Sequence, residues 1–217
     1  MQKIPKVIHY VWVGDKPLTT LAKNCIDSWK KYLPEYQLKL WNEKNSPMDN
    51  PYVVNMYKRK NWAFVADYIR FFVLEKEGGI YLDTDTEVLK SFDDLLESSA
   101  FFGRTKDQNV ATGVIGVTPN HQLIKDILDV YNKDLEFSIS NTSPKMLTAQ
   151  LSKKEYPDVV IYDYQYFNPC SDGEDCSKEK LTLAYTINHW AESWVPFSRL
   201  RKALRRTGIM PILKKLK

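Results

Sequence analysis

Two carboxylates, Asp83 and Asp85, stand one residue apart at the end of the run Gly78-Gly79-Ile80-Tyr81-Leu82. In an extended chain, residues i and i+2 face the same side about 6.6 Å apart. That spacing suits two carboxylates to gripping one hydrated divalent cation. Upstream, Asp67 and Arg70 sit three residues apart inside an apolar stretch, which places them on one helix face. Buried charges need partners, so these two either pair with each other or face a polar ligand. A third candidate ligand is His189, which follows the strand-like run Thr182 to Ile187; an imidazole nitrogen suits Mn²⁺ beside carboxylates. An Asp-x-Asp alone is weak, because acidic turns after strands also serve solubility. The conjunction in one continuous unit carries the weight.

The elements that must position these groups are legible around them. Asn61 caps a helix whose apolar residues cover most of Trp62 to Leu74, and Gly78 or Gly79 ends it. Lys6 to Val13 is a buried first strand rich in β-branched and aromatic residues, in which His9 reads as a satisfied core histidine. Leu21, Cys25, Trp29 and Tyr32 have helical spacing, with Thr19 or Thr20 as cap and Pro34 as stop. Gln37 to Asn42 is a short strand, and Pro51 to Lys60 a helix leading to the central unit. This βαβα order predicts a mainly parallel sheet, at whose carboxyl edge nucleotides bind and Asp83 and Asp85 fall. Further strands are expected at Ala100 to Gly103, Val110 to Val117 and Val159 to Tyr162, and helices at His121 to Tyr131 and Pro144 to Lys153. Thr112, Gly113 and Gly116 interrupt the second of these strands, where small residues let a sugar approach the backbone. Asn109 and Thr112 are therefore candidate sugar or acceptor contacts, and Glu136 to Ser143 a loop near the acceptor.

Three motifs in order resemble one family. Ala66-Asp67-x-x-Arg70 followed by Gly78-Gly79-Ile80-Tyr81-Leu82-Asp83-x-Asp85 is similar to the core of the DXD sugar transferases, glycosyltransferase family 32. Ile4-Pro5-Lys6-Val7-Ile8-His9-Tyr10-x-Trp12-x-Gly14 resembles the family's first strand, and His189-Trp190-x-x-Ser193-Trp194 its closing motif. The family is related to the initiating α-1,6-mannosyltransferases of yeast and, more remotely, to the large glucosylating toxins. The resemblance implies a GT-A fold, a three-layer α/β/α domain over residues 1–196, and anomer-retaining transfer of a hexosyl residue from a nucleotide-sugar, UDP-linked by family frequency. It further implies Mn²⁺ or Mg²⁺ held by Asp83, Asp85 and His189. Asp85 ligates the metal directly, and Asp83 holds it partly through water while touching the ribose. Asp67 and Arg70 orient the sugar hydroxyls. Val11, Trp12 and Gly14 border the donor base, Tyr81 belongs to the donor site, and Ser193 and Trp194 close over the diphosphate and sugar. No nucleophile is required.

At 217 residues, 43% hydrophobic and 13% aromatic, the chain can bury one full core. Its three cysteines argue against a disulfide framework. Cys25 reads as a small core residue, and Cys170 and Cys176 could approach one another but make a poor zinc site. The net charge of +4 hides an asymmetry: residues 197–217 hold eight Lys/Arg and no acid, which leaves 23 basic against 27 acidic residues, or −4, for residues 1–196. With no basic stripe on the body, nucleic acid is not the expected partner. Leucines and isoleucines interleave with the tail's charges, so an amphipathic helical segment at an anionic membrane surface is expected, against the alternative of a tail that packs on its own domain. No apolar run of eighteen residues and no leader is evident, so the expected place is the cytoplasm, peripheral on the membrane's inner face. The expected acceptor is a glycan or lipid-linked oligosaccharide, in capsule, exopolysaccharide or lipopolysaccharide assembly. Competing readings are a metal-dependent phosphohydrolase of nucleotide diphosphates and a non-catalytic membrane-surface adaptor.

Overall fold

The computed structural model describes residues 3–133, 142–171, 174 and 176–191. Strand β1 (Val7–Val11) leads to helix α1 (Thr20–Tyr32), strand β2 (Gln37–Trp41), and helices α2 (Pro51–Lys58) and α3 (Trp62–Glu77). Strands β3 (Gly79–Leu82) and β4 (Thr86–Val88) follow, then a 3-10 turn at Asp93–Leu95 and the hairpin β5 (Ala100–Arg104) and β6 (Val110–Val117). Helices α4 (Gln122–Lys133) and α5 (Ser143–Lys153), strand β7 (Val159–Tyr162), the short helix α6 (Tyr164–Phe167) and strand β8 (Thr186–Asn188) complete the order.

The main sheet has six strands in the order β2-β1-β3-β6-β5-β7. Strand β1 is parallel to β2 and β3, and β5 is parallel to β7. Strand β6 alone runs against the others, antiparallel to both β3 and β5. The expected sheet is thus mainly parallel with one reversed central strand, which the β5–β6 hairpin makes possible without a crossover. Strands β4 and β8 form a separate two-stranded ribbon.

Both faces of the sheet are covered, which makes three layers. Side chains alternate between faces along a strand: Ile80 and Leu82 join α1 on one side with Val114 and Phe101, whereas Tyr81 joins α2, α3 and α4 on the other with Ile115 and Val117. Helix α3 is the centre of the second layer, with Phe64, Val65, Ile69, Phe71, Val73 and Leu74 buried. Its end is enforced by two glycines. Gly78 and Gly79 both have positive φ (63° and 92°), and a Cβ on Gly79 would lie 2.8 Å from the Val7 carbonyl oxygen. No other residue turns this helix so closely onto a strand that pairs with β1.

Some local expectations change. Thr19 caps α1 as expected, its side chain accepting from the Ala22 N–H. Asn61 precedes α3 but makes no side-chain cap; its backbone carbonyl takes the Phe64 and Val65 N–H groups instead. The gap at Gly116 is filled by the Phe101 ring, which would stand 2.0 Å from an added Cβ, so no sugar approaches there. Cys170 and Cys176 form a disulfide, a bridge that the odd cysteine count did not suggest, while Cys25 is free and buried. His9 is a core residue: Trp41 Nε1 donates to Nδ1 at 3.0 Å, and Nε2 donates to the Gly78 carbonyl at 2.9 Å. Burial pushes its pKa down to about 4, so it is neutral and wedges β1, β2 and the glycine turn together.

Candidate active site

Because β1, β2 and β3 are parallel, their carboxyl ends open on one edge of the sheet, where α/β sheets place their ligands. The chain leaving β1 there carries Trp12 and Gly14. The Trp12 indole N–H donates to the Lys16 carbonyl at 2.7 Å, which pins the half-buried ring. Gly14 has φ 91°, and an added Cβ would lie 3.1 Å from the Trp62 ring. Its N–H donates to Glu43, which also accepts from the Tyr57 hydroxyl. The Val11 side chain is spent on the core beside Trp41, so it does not face this edge.

Asp67 and Arg70 pair with each other. Arg70 Nη2 lies 2.8 Å from Asp67 Oδ1 and 3.3 Å from Asp83 Oδ1, with side chains only 6% and 10% exposed for Arg70 and Asp67. Arg70 Nη1 donates to the Thr112 carbonyl at 2.7 Å, and the guanidinium lies 4.6 Å above the Tyr81 ring centroid. The Tyr81 hydroxyl donates to Asp83 Oδ1 at 2.9 Å. Burial opposes the Arg70 charge, but Asp83 and Asp67 outweigh it and its pKa is raised. Burial likewise pushes Asp67 up, partly offset by Arg70 and by two hydrogen bonds from Ser143: Oγ to Oδ1 at 2.6 Å, and the backbone N–H to Oδ2 at 3.3 Å. The result is a buried relay from Ser143 through Asp67 and Arg70 to Asp83. Arg70 and Tyr81 both hold Oδ1 of Asp83, which fixes the carboxylate's orientation and turns Oδ2 toward Gly113.

Asp85 is held from the other side. The β4–β8 ribbon pairs Thr86 with Asn188. The chain after it folds back, so that the His189 N–H donates to the Asp85 carbonyl and the Ala191 N–H to Asp85 Oδ2 at 2.7 Å. Burial first, then the charge of Asp83, push the Asp85 carboxyl pKa up. Among the described residues no basic side chain forms an ion pair with it. Asp83 shares its one counter-charge, Arg70, with Asp67, and Asp85 beside it has none among the described residues, so these two hard oxygen donors fit a Mg²⁺- or Mn²⁺-type cation that would relieve their repulsion.

The proposed third ligand is placed differently. The His189 ring projects to Glu87, Nε2 to Oε2 at 2.9 Å, on the exposed side of the ribbon. Among the described residues no three His, Cys, Asp or Glu side chains are grouped to hold a metal. Tyr81 and Thr112 are likewise structural where ligand contact was expected: the Tyr81 ring is buried, and the Thr112 hydroxyl bonds Ser143 Oγ at 2.8 Å. Asn109 lies at the exposed β5–β6 turn, bonded to Asp107. Ser193, Trp194, most of the 136–143 loop and the tail 197–217 lie outside the described residues. Sequence reasoning missed Ser143, whose Ser-Pro pair signals only a helix start, and Asn188, which adjoins the closing motif.

Residues 19–102 match the family described as the glycosyltransferase sugar-binding region containing a DXD motif. Over 219 aligned residues, 92% of this chain and 87% of the other, the sequence is 28% identical to an uncharacterized glycosyltransferase of Acanthamoeba polyphaga mimivirus. It is 29% identical to inositol phosphoceramide mannosyltransferase 3 of Schizosaccharomyces pombe, over 58% of this chain but only 36% of that enzyme. Among solved structures, the PaToxG glycosyltransferase superposes with a TM-score of 0.57 at 21% identity, covering 70% of each chain. That likeness is one of fold.

Proposed function

We propose that the chain is a glycosyltransferase of the DXD-containing family, which its residues 19–102 match, on a GT-A fold, and that it moves a hexosyl residue, with retention, from a nucleotide-sugar to a glycan or lipid-linked acceptor. The observation that carries this reading is the buried relay that aims Asp83 beside an Asp85 lacking an ion-pair partner among the described residues, at the sheet edge where nucleotides bind. Asp85 uses Oδ2 on the Ala191 N–H, which leaves Oδ1 as a direct metal ligand. Asp83 offers Oδ2 to a metal-bound water, the ribose or a sugar hydroxyl, because Oδ1 is taken by Arg70 and Tyr81. Arg70 and Asp67 are positioning residues in this scheme. When bound, the divalent cation supplies the positive charge that stabilises the departing diphosphate. Trp12 and Gly14 line the entrance to the base site, the glycine allowing the chain to pass close to Trp62. His189 acts through its backbone, which holds the returning strand against Asp85.

The experiment is a panel of UDP- and GDP-sugars tested for protection against thermal unfolding with Mn²⁺ present. One donor should raise Tm in proportion to ln[ligand], and a panel without any protection overturns the reading. The mannosyltransferase named above makes GDP-mannose the first competitor to the UDP-sugars.

The division into a catalytic body, 1–196, and a basic tail, 197–217, enters the same proposal. No described helix is long and apolar enough to cross a membrane. We assign peripheral binding on the inner face to the tail's eight basic residues, each worth about 1 kcal/mol near an anionic leaflet. A chain ending at Pro196 should stop sedimenting with phosphatidylserine vesicles at moderate salt while still binding its donor. Equal sedimentation of the two chains contradicts the membrane role. An acceptor made on that face, a lipid-linked precursor of capsule, exopolysaccharide or lipopolysaccharide, fits such a seat.

A further inference from the structure

Asn188 ends the β8 strand with its side-chain amide oriented by its own turn. The Trp190 N–H donates to Asn188 Oδ1 at 2.8 Å, and Trp190 holds φ 49° to make that contact. A backbone donor can be met only by the carbonyl end of the amide, so the Nδ2 end is the one that points away. It points at Gly113. A Cβ built on Gly113 would lie 3.2 Å from Asn188 Nδ2 and 3.1 Å from Asp83 Oδ2. Gly113 has no positive φ, so the backbone does not require glycine here. What its missing side chain permits is close approach: one hydrogen-bond donor and one acceptor stand against the same patch of backbone, each nearer than ordinary contact with a Cβ would allow. The two come from opposite ends of the chain's architecture: Asp83 follows β3, and Asn188 lies on the ribbon that closes over Asp85.

We propose that Asn188 is the specificity-determining residue for the transferred sugar. Its Nδ2–H and Asp83 Oδ2 form a donor–acceptor pair over Gly113 that reads two adjacent ring hydroxyls. A vicinal diol is the chemical group that fits such a pair: one hydroxyl oxygen accepts from the amide while its neighbour donates to the carboxylate. The inference rests on the nucleotide-sugar reading above and adds to it a residue, a ligand group and a reason for Gly113. The pair is sensitive to stereochemistry, since two hydroxyls on one face and two on opposite faces of a ring present different directions to it.

The test measures binding rather than turnover, by calorimetric titration with Mn²⁺ present, of the best nucleotide-sugar from the UDP and GDP panel and of its nucleoside diphosphate. Asn188→Ser keeps a hydroxyl able to accept from the Trp190 N–H but lacks the amide. It should weaken the nucleotide-sugar by about five- to tenfold, the value of one hydrogen bond, and leave the nucleoside diphosphate unchanged. Gly113→Ala adds a methyl group 3.1–3.2 Å from both polar atoms, displaces the pair and should do the same, while Asn188→Ser keeps a Tm close to wild type. If wild type binds the nucleotide-sugar and both variants bind it equally well, the inference fails and the nucleotide-sugar reading stands. Parallel loss of the nucleoside diphosphate also overturns it, by moving Asn188 to the diphosphate. If wild type binds neither compound, the underlying reading fails and takes the inference with it.

Discussion

Replacing Arg70 with alanine is expected to cost about 3–5 kcal/mol of folding stability, because it leaves Asp67 as a buried charge without its cation. The guanidinium is 6% exposed and holds Asp67, Asp83 and the Thr112 carbonyl at once. Removing it strands two carboxylates and one carbonyl, and opens the space over the Tyr81 ring. For a chain of this size such a loss lowers Tm by roughly 6–20 °C. Arg70→Lys should recover little, since an ammonium cannot span the three acceptors in one plane. Thermal unfolding of the two variants, with circular dichroism to confirm secondary structure, gives the answer. An unchanged Tm with lost turnover would contradict the buried pairing and turn Arg70 back toward the ligand.

How much of this arrangement could be read beforehand differs from residue to residue. Helix α3 and the strand after it were legible because apolar periodicity, two glycines and a carboxylate pair coincide over fewer than thirty residues. The sequence could say that Asp67 and Arg70 need partners, but not which. They pair with each other, one of the two options the sequence offered, and their further partners Thr112 and Ser143 are brought in by a reversed strand and a distant helix. The reversal of β6 did have a local signal, the five residues 105–109 between β5 and β6 being too few for a parallel crossover, but the βαβα order of the first half took precedence over it. Thr112 and Gly113 are neighbours on that strand, yet one is consumed by the core and the other borders the site. A period-2 alternation predicts opposite faces but not which face a ligand shares. His189 illustrates the limit of motif transfer: its own backbone N–H and that of Ala191 reach Asp85, while its ring turns to Glu87.

Asp85→Asn is expected to reduce sugar transfer by about a hundredfold or more, the scale seen when one preorganised electrostatic group is removed. The asparagine keeps an oxygen for the Ala191 N–H, so the returning strand stays in place. It also removes the negative charge that Asp83 repels, so Tm should hold or rise slightly. Activity and stability therefore move apart in this variant and fall together in Arg70→Ala. That contrast separates a metal-holding carboxylate from a positioning cation. A variant that loses Tm along with activity would make Asp85 a structural acceptor for the closing strand and no more.

The central claim, that Asp83 and Asp85 hold a divalent cation for transfer from a nucleotide-sugar, is tested most directly by following consumption of the protecting donor in EDTA and after Mn²⁺ is restored. Wild type should fall to background in EDTA and recover fully with Mn²⁺, while Asp85→Asn should stay near background in both. Full consumption in EDTA, or an Asp85→Asn chain as active as wild type, would contradict it.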